Sequence, residues 1–155
     1  NATSTAIIAK GAPASGNAFF LGYDNTTSNK LMFNIGGTTQ KAVTDSALSD
    51  SNWYYVCGTY DGTLGSNNIK LYVNGAVQST TGAYTSAIAN STVDDLAIGA
   101  SVTQGRAAVA NSFTGGVGAV QIYSTTLTGT QIYNNCVAQA ANYTSTAPTS
   151  FCTTP

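Results

Sequence analysis

The run Trp53-Tyr54-Tyr55-Val56-Cys57-Gly58-Thr59-Tyr60, a polar bend from Asp61 to Asn68, then Ile69-Lys70-Leu71-Tyr72-Val73 and Asn74-Gly75, decides the fold. Both apolar runs are rich in aromatic and β-branched residues, which suit a pleated surface. Each is closed by an Asp-Gly or Asn-Gly pair, the strongest short-range hairpin signal. The pattern predicts two consecutive antiparallel strands, Trp53 to Tyr60 and Ile69 to Val73. Asn74-Gly75 suits a tight turn whose two central residues both need positive φ, so a third short strand, Ala76 to Ser79, is expected to fold back on Leu71 to Val73. The Trp53 strand is apolar at both alternating sets of positions, which predicts cover on both of its faces.

Working outward, Ser4 to Lys10 reads as a strand around Ile7 and Ile8, and Phe19 to Tyr23 as the next. A turn from Asp24 to Asn29 leads to Leu31-Met32-Phe33-Asn34-Ile35, and Lys41 to Val43 adds a short strand. Downstream, Asp94-Asp95-Leu96-Ala97-Ile98-Gly99 gives one more strand, followed by an irregular excursion from Ser101 to Ala110. Phe113 to Tyr123 reads as a strand interrupted by Gly115, Gly116 and Gly118, glycines that mark a bulge or a close backbone approach. Thr128 is an N-cap for one or two helical turns to Asn135, with Ile132 facing inward. Many short strands with barely one helix predict an all-β, antiparallel jelly-roll sandwich over residues 1–136, followed by a Thr/Ala/Pro-containing tail over 137–155.

Composition narrows the chemistry. The 155 residues suffice for one domain with a real core. Only 7% are charged, there is no His, and all six acidic residues are Asp. Five scattered Lys and Arg form no basic stripe to neutralise a phosphate backbone, so nucleic acid is not an expected partner. No apolar run approaches the roughly 20 residues that span a bilayer. The chain opens on Asn1, as expected of a processed chain, a fragment, or a sequence read without its front end. Of its three cysteines, Cys136 and Cys152 could staple the tail, whereas Cys57 reads as a small buried apolar residue within a strand.

The order Trp53…Val56…Gly58-Thr59-Tyr60-Asp61-Gly62, then Leu71-Tyr72-Val73-Asn74-Gly75, then Leu96…Ile98-Gly99, then Phe113…Gly115…Val117…Val120…Ile122-Tyr123…Leu127…Gln131-Ile132 resembles the laminin-G-like jelly roll of the concanavalin A-like lectin/glucanase superfamily. The likeness covers Ile7 to Ile132. It departs in one respect: the opening strands that ordinarily precede the segment matched by Ile7-Ile8-Ala9-Lys10-Gly11 have no counterpart here. A jelly roll lacking them exposes unpaired backbone groups and a slot in its core, a template for another strand. A neighbouring subunit, the tail from Val137 onward, or a longer precursor would each supply it.

The resemblance implies three chemistries to weigh. Glucanases of the superfamily work with paired Glu and Asp. This chain has no Glu, and Asp94-Asp95 as strand neighbours would point to opposite faces, so no enzyme is expected. Calcium, which such domains often bind at a loop rim, would take hard oxygens from Asp94, Asp95 and Asp61. Against that, Asp61-Gly62 is also a turn and Asp94-Asp95 a polar strand entry. A sugar site would need an exposed aromatic platform, for which Tyr84 is the candidate.

Four Asn-x-Ser/Thr acceptors, at Asn1, Asn25, Asn90 and Asn142, fall in turns, loops or terminal segments and in none of the expected strands. Low charge, glycan acceptors and cysteines together imply an extracellular or cell-surface glycoprotein. Two functions follow. One is a non-catalytic structural or adhesive subunit of a cell-surface or filamentous assembly, a homo-oligomer or polymer with strand exchange between subunits. The other is a carbohydrate-binding, lectin-like module of a longer secreted protein.

Overall fold

The computed structural model describes residues 4–11, 18–24, 29–37, 39–88, 94–102, 108–145 and 147–155. Asn1, Asn25 and Asn90 lie outside these residues. Among the described residues ten strands occur: β1 (Thr5–Lys10), β2 (Phe19–Tyr23), β3 (Leu31–Ile35), β4 (Lys41–Val43), β5 (Val56–Tyr60), β6 (Ile69–Val73), β7 (Ala76–Val77), β8 (Leu96–Ile98), β9 (Ser101–Val102) and β10 (Val109–Ala110). Two helices follow, α1 (Gly129–Ala140) and α2 (Pro148–Phe151).

One sheet has the order β4-β3-β2-β1-β8, and the facing sheet the order β5-β6-β7. All of their pairings are antiparallel. Strands β9 and β10 form a separate small ribbon within the excursion expected to be irregular. The hairpin read from Trp53 to Gly75 is present, with Val56 opposite Val73 and Tyr60 opposite Ile69. Its tight turn is also present: Asn74 and Gly75 have φ of 49° and 85°.

Apolar alternation builds the core. Leu21 of β2, Leu31, Phe33 and Ile35 of β3, and Ile69 and Leu71 of β6 meet between the sheets. The opposite parity of the first sheet carries Phe20 and Met32, both fully buried with Ala6 and Ala9 in a second, smaller cluster. A third cluster forms on the outer face of β5, where Tyr55 packs against Cys136, Ala140 and Cys152.

That third cluster corrects the expectation for the tail. Thr128 caps α1 through a reciprocal capping box with Gln131, as its position predicts, but the helix continues to Ala140 rather than stopping at Asn135. Ile132, Cys136 and Ala140 are its buried residues, one stripe at spacing four that lies against the sheet. A boundary drawn between residues 136 and 137 falls inside this helix. Cys136 and Cys152 are joined in a disulfide that brings α2 back onto α1. The chain's own tail therefore covers Tyr55, at the entry to β5.

Two further expectations are overturned. Residues 113–123 form no strand: apart from the bridge of Ser112 to Ala6 and the hydrogen bond from Phe113 N–H to Gly99 O, the run pairs with no sheet among the described residues. Trp53, in a strand expected to be covered on both faces, is 44% exposed, and β5 begins only at Val56. Both segments line one open cavity.

Candidate functional site: an open slot beside β5

Strand β5 is an edge. Asn74 N–H donates to Tyr55 O and Asp61 N–H to Asn68 O, so in this register residues 55, 57, 59 and 61 direct their backbone groups at β6. Val56, Gly58 and Tyr60 then direct theirs to the open side. The Thr126 hydroxyl donates to Tyr60 O at 2.8 Å, and the Cys57 thiol makes a long 3.9 Å approach to Gly58 O. The N–H groups of Val56, Gly58 and Tyr60 and the carbonyl of Val56 meet no partner among the described residues.

Facing this edge, residues 116–126 line the same cavity as β5. The ends of that run are held. A Cβ at Gly116 would lie 2.7 Å from the tip of the Trp53 indole, and Thr126 holds Tyr60. Ala119 N–H donates to the Tyr143 hydroxyl at 2.9 Å, and the Asn135 amide donates to the Tyr123 hydroxyl at 3.1 Å. Between the two walls lies an apolar cavity of about 1010 Å³. Its floor is the inter-sheet core, including Ile8, Leu21 and Phe33; its roof is Tyr55, Ala140 and Phe151 of the helical cluster, with Tyr143 beside them.

The cavity accounts for part of the exposed hydrophobic surface. Val120 is 36% exposed and Ile122 61% exposed, yet both line the slot together with Trp53. Trp53 packs on Tyr143 with ring centroids 4.8 Å apart. Removing the indole from the isolated chain should consequently cost less than the roughly 3–5 kcal/mol of a buried Trp→Ala change. Sequence alternation alone assigned the Trp53 and Phe113–Tyr123 segments to strands; it contains no signal for what pairs with them.

On the roofed side of β5 the ionisable groups are shifted by burial. Desolvation pushes the Cys57 thiol up to about 11. It pushes the Tyr55 phenol up to about 12, with the neighbouring Cys57 and Tyr123 adding to the effect. A raised thiol pKa stabilises the fold fully below the unfolded value, near 9, and that contribution is lost as pH rises through about 11. Denaturation midpoints should therefore fall across that window, and Cys57→Ala should remove the Cys57 part of the slope. A variant with an unchanged slope would show the thiol already in solvent.

The other sequence candidates are placed apart. Asp61 sits in the β5–β6 connection, where its carboxylate accepts from Thr63 N–H and hydroxyl, which lowers its pKa and makes it a turn acceptor. Asp94 and Asp95 precede β8 in the opposite sheet; Asp94 is buried, with Oδ1 lacking a hydrogen-bond partner among the described residues. No group of three or more metal-ligating side chains occurs among the described residues. Tyr84 is half-buried rather than displayed. Its ring covers Gly36 and meets Tyr60 edge-on, its hydroxyl donates to Ala87 O, and its backbone is held by Asn68. Asn142 is exposed in the turn after α1.

A family model described as the concanavalin A-like lectin/glucanases superfamily matches residues 1–133. No curated protein matches. Among solved structures, the crystal structure of residues 221–444 of an S-layer domain-containing protein from Clostridium thermocellum is similar at 20% identity and a TM-score of 0.42. The likeness covers 87% of the present chain and 64% of that one, so the chain spans less than two thirds of that structure's length.

Proposed function

Because the chain belongs to the concanavalin A-like lectin/glucanase superfamily and its sandwich stands open along β5, we propose that it is a structural or adhesive subunit of an extracellular assembly. The domain is non-enzymatic. With neither Glu nor His in the sequence, a glycosidase pair would have to be two of six Asp, of which Asp24 is paired with Lys41, Asp45 accepts from Ser79, Asp61 lies in the connection after β5, and Asp94 and Asp95 enter the other sheet. It is an extracellular or cell-surface domain, as its family and its disulfide, a bond of oxidising compartments, agree.

The observation that supports assembly is the open edge itself. An unpaired edge beside an apolar cavity is an aggregation hazard unless something covers it, and a neighbouring subunit can do so by adding a strand. Light scattering and electron microscopy of the purified chain should find oligomers or polymers. A stable monomer with every edge paired by its own chain would overturn the reading.

A second reading is favoured by Trp53, an exposed indole at the lip of the slot: a lectin-like module would stack a sugar there. It expects monomers retained on a glycan column, with retention lost in Trp53→Ala. Retention unaffected by that change would remove the lip as a sugar site.

Glycans are expected on Asn142, and on Asn1, Asn25 and Asn90 by their sequence context. The chain from its native source should then exceed 15.8 kDa and lose the excess on deglycosylation. A mass equal to the bare polypeptide would end the idea.

A further inference from the structure

We propose that the Asn74–Gly75 turn is a self-modifying deamidation site, and that the C-terminal tail docked on the turn holds the reaction off. The sequence contains a single Asn-Gly pair, and it is this one.

The chemistry belongs to the pair itself. The Gly75 amide nitrogen gives its proton to water and attacks Asn74 Cγ, forming a C–N bond that closes a succinimide ring. The side-chain nitrogen takes up a proton and leaves as ammonia. Water then opens the ring at either carbonyl. Attack at the former side-chain carbon gives Asp, and attack at the former main-chain carbon gives isoaspartate. Ring closure is least hindered before glycine, which has no Cβ to crowd the attacking nitrogen.

The folded turn opposes that closure. Tyr55 N–H donates to Asn74 Oδ1 at 2.9 Å, tying the carboxamide to the entry of β5. Asn74 N–H donates to Tyr55 O and Thr153 N–H to Asn74 O, each at 2.7 Å, so the peptide groups on both sides of Asn74 are pinned. The pair is held in the left-handed region, with φ of 49° and 85°. A Cβ at Gly75 would lie 2.7 Å from the Thr153 carbonyl, so the tail sits directly on the turn. Bringing Cγ onto the Gly75 nitrogen requires Asn74 to surrender its side-chain bond and to rotate about its Cα–C bond, which swings away the carbonyl that Thr153 holds. Tyr55 belongs to the same sheet as the turn, whereas Thr153 is separable. It is kept in place by its neighbour Cys152, bonded to Cys136 of α1.

The product works in one direction. Isoaspartate adds a carbon to the main chain inside a two-residue hairpin loop, whose turn type sets the register of β6 and β7. The seat of Thr153 is lost with the turn. Deamidation therefore marks chains whose tail has come undocked, and keeps the tail undocked.

The test follows Asn74 in the full chain at mildly alkaline pH by peptide mapping, which separates the Asn, Asp and isoaspartyl forms. Thr153→Pro removes the donor and leaves the disulfide, Thr153→Ala keeps the donor, and the Cys136→Ala, Cys152→Ala double variant frees the tail; circular dichroism checks that each folds. The reduced chain in denaturant should deamidate fastest and the parent slowest, with a ratio of about a hundredfold or more, because the parent reacts only through local opening. Thr153→Pro, one hydrogen bond short, should react about fivefold faster than the parent. Thr153→Ala should match the parent, and the double variant should be at least as fast as Thr153→Pro. A denatured chain unmodified at Asn74 would overturn the site. A parent as fast as the denatured chain would overturn its protection by the fold. A folded Thr153→Pro or double variant that reacts at the parent's rate, or a Thr153→Ala variant that reacts as fast as Thr153→Pro, would overturn the tail as its guard.

Discussion

Leu71→Ala is expected to destabilise the domain by about 3–5 kcal/mol, measured by chemical denaturation of the purified chain. Leu71 is fully buried in β6, the middle strand of the smaller sheet, where it meets the inter-sheet core. Truncation loses the transfer free energy of three carbons and leaves a void whose walls are two hydrogen-bonded sheets with little freedom to collapse. The loss is a large share of the 5–15 kcal/mol that ordinarily separates a folded domain from its unfolded chain. A change within about 0.5 kcal/mol would mean that the sheets close over the deletion, and that the core is as adaptable on this side as the slot is open on the other.

The same strand shows what the sequence could reveal. Alternation in Ile69-Lys70-Leu71-Tyr72-Val73 and the Asn74-Gly75 turn are local, and a local signal fixes register because a one-residue slip would turn Leu71 to the wrong face. The strands around Ile8, Phe20 and Phe33 were legible for the same reason. Trp53 and the run from Phe113 to Tyr123 were misread by an equally local argument. Their alternation fits paired strands, but pairing depends on a partner that the flanking residues do not encode. The helix was underestimated because Asn134-Asn135 are weak helix formers, so propensity ends it early. Its continuation rests on a tertiary stripe, Ile132, Cys136 and Ala140, against Tyr55. Tyr84 looked available from its loop context, yet the absence of a side chain at Gly36 lets its ring settle onto the backbone.

Removing the Cys136–Cys152 bond, as the double Ala variant, is expected to cost about 3 kcal/mol, the loop-closure entropy of roughly 15 residues. The structural consequence reaches further than the tail. Phe151 and Cys152 complete the cluster over Tyr55, and Thr153 N–H donates to Asn74 O at 2.7 Å, docking the chain end on the β6–β7 turn. Gly75 at that turn has positive φ, and its missing Cβ leaves room for the Thr153 carbonyl. Without the covalent tie, α2 and the last residues would have to be held by that hydrogen bond, the Phe151 side chain and the approach of Pro155 to Gly129. Tyr55 and Cys57, on the same face of β5, would then regain water. The thiol should fall from about 11 toward its ordinary value and become open to alkylation. A maleimide that labels Cys57 slowly in the parent should label it faster in the double variant, alongside the lower denaturation midpoint. An unchanged midpoint and labelling rate would show that packing alone keeps the tail in place. Since the roof of the slot is built from this cluster, the disulfide sets the shape of the cavity as well as the stability of the fold, so a reduced chain should also be a poorer acceptor of any strand entering beside β5.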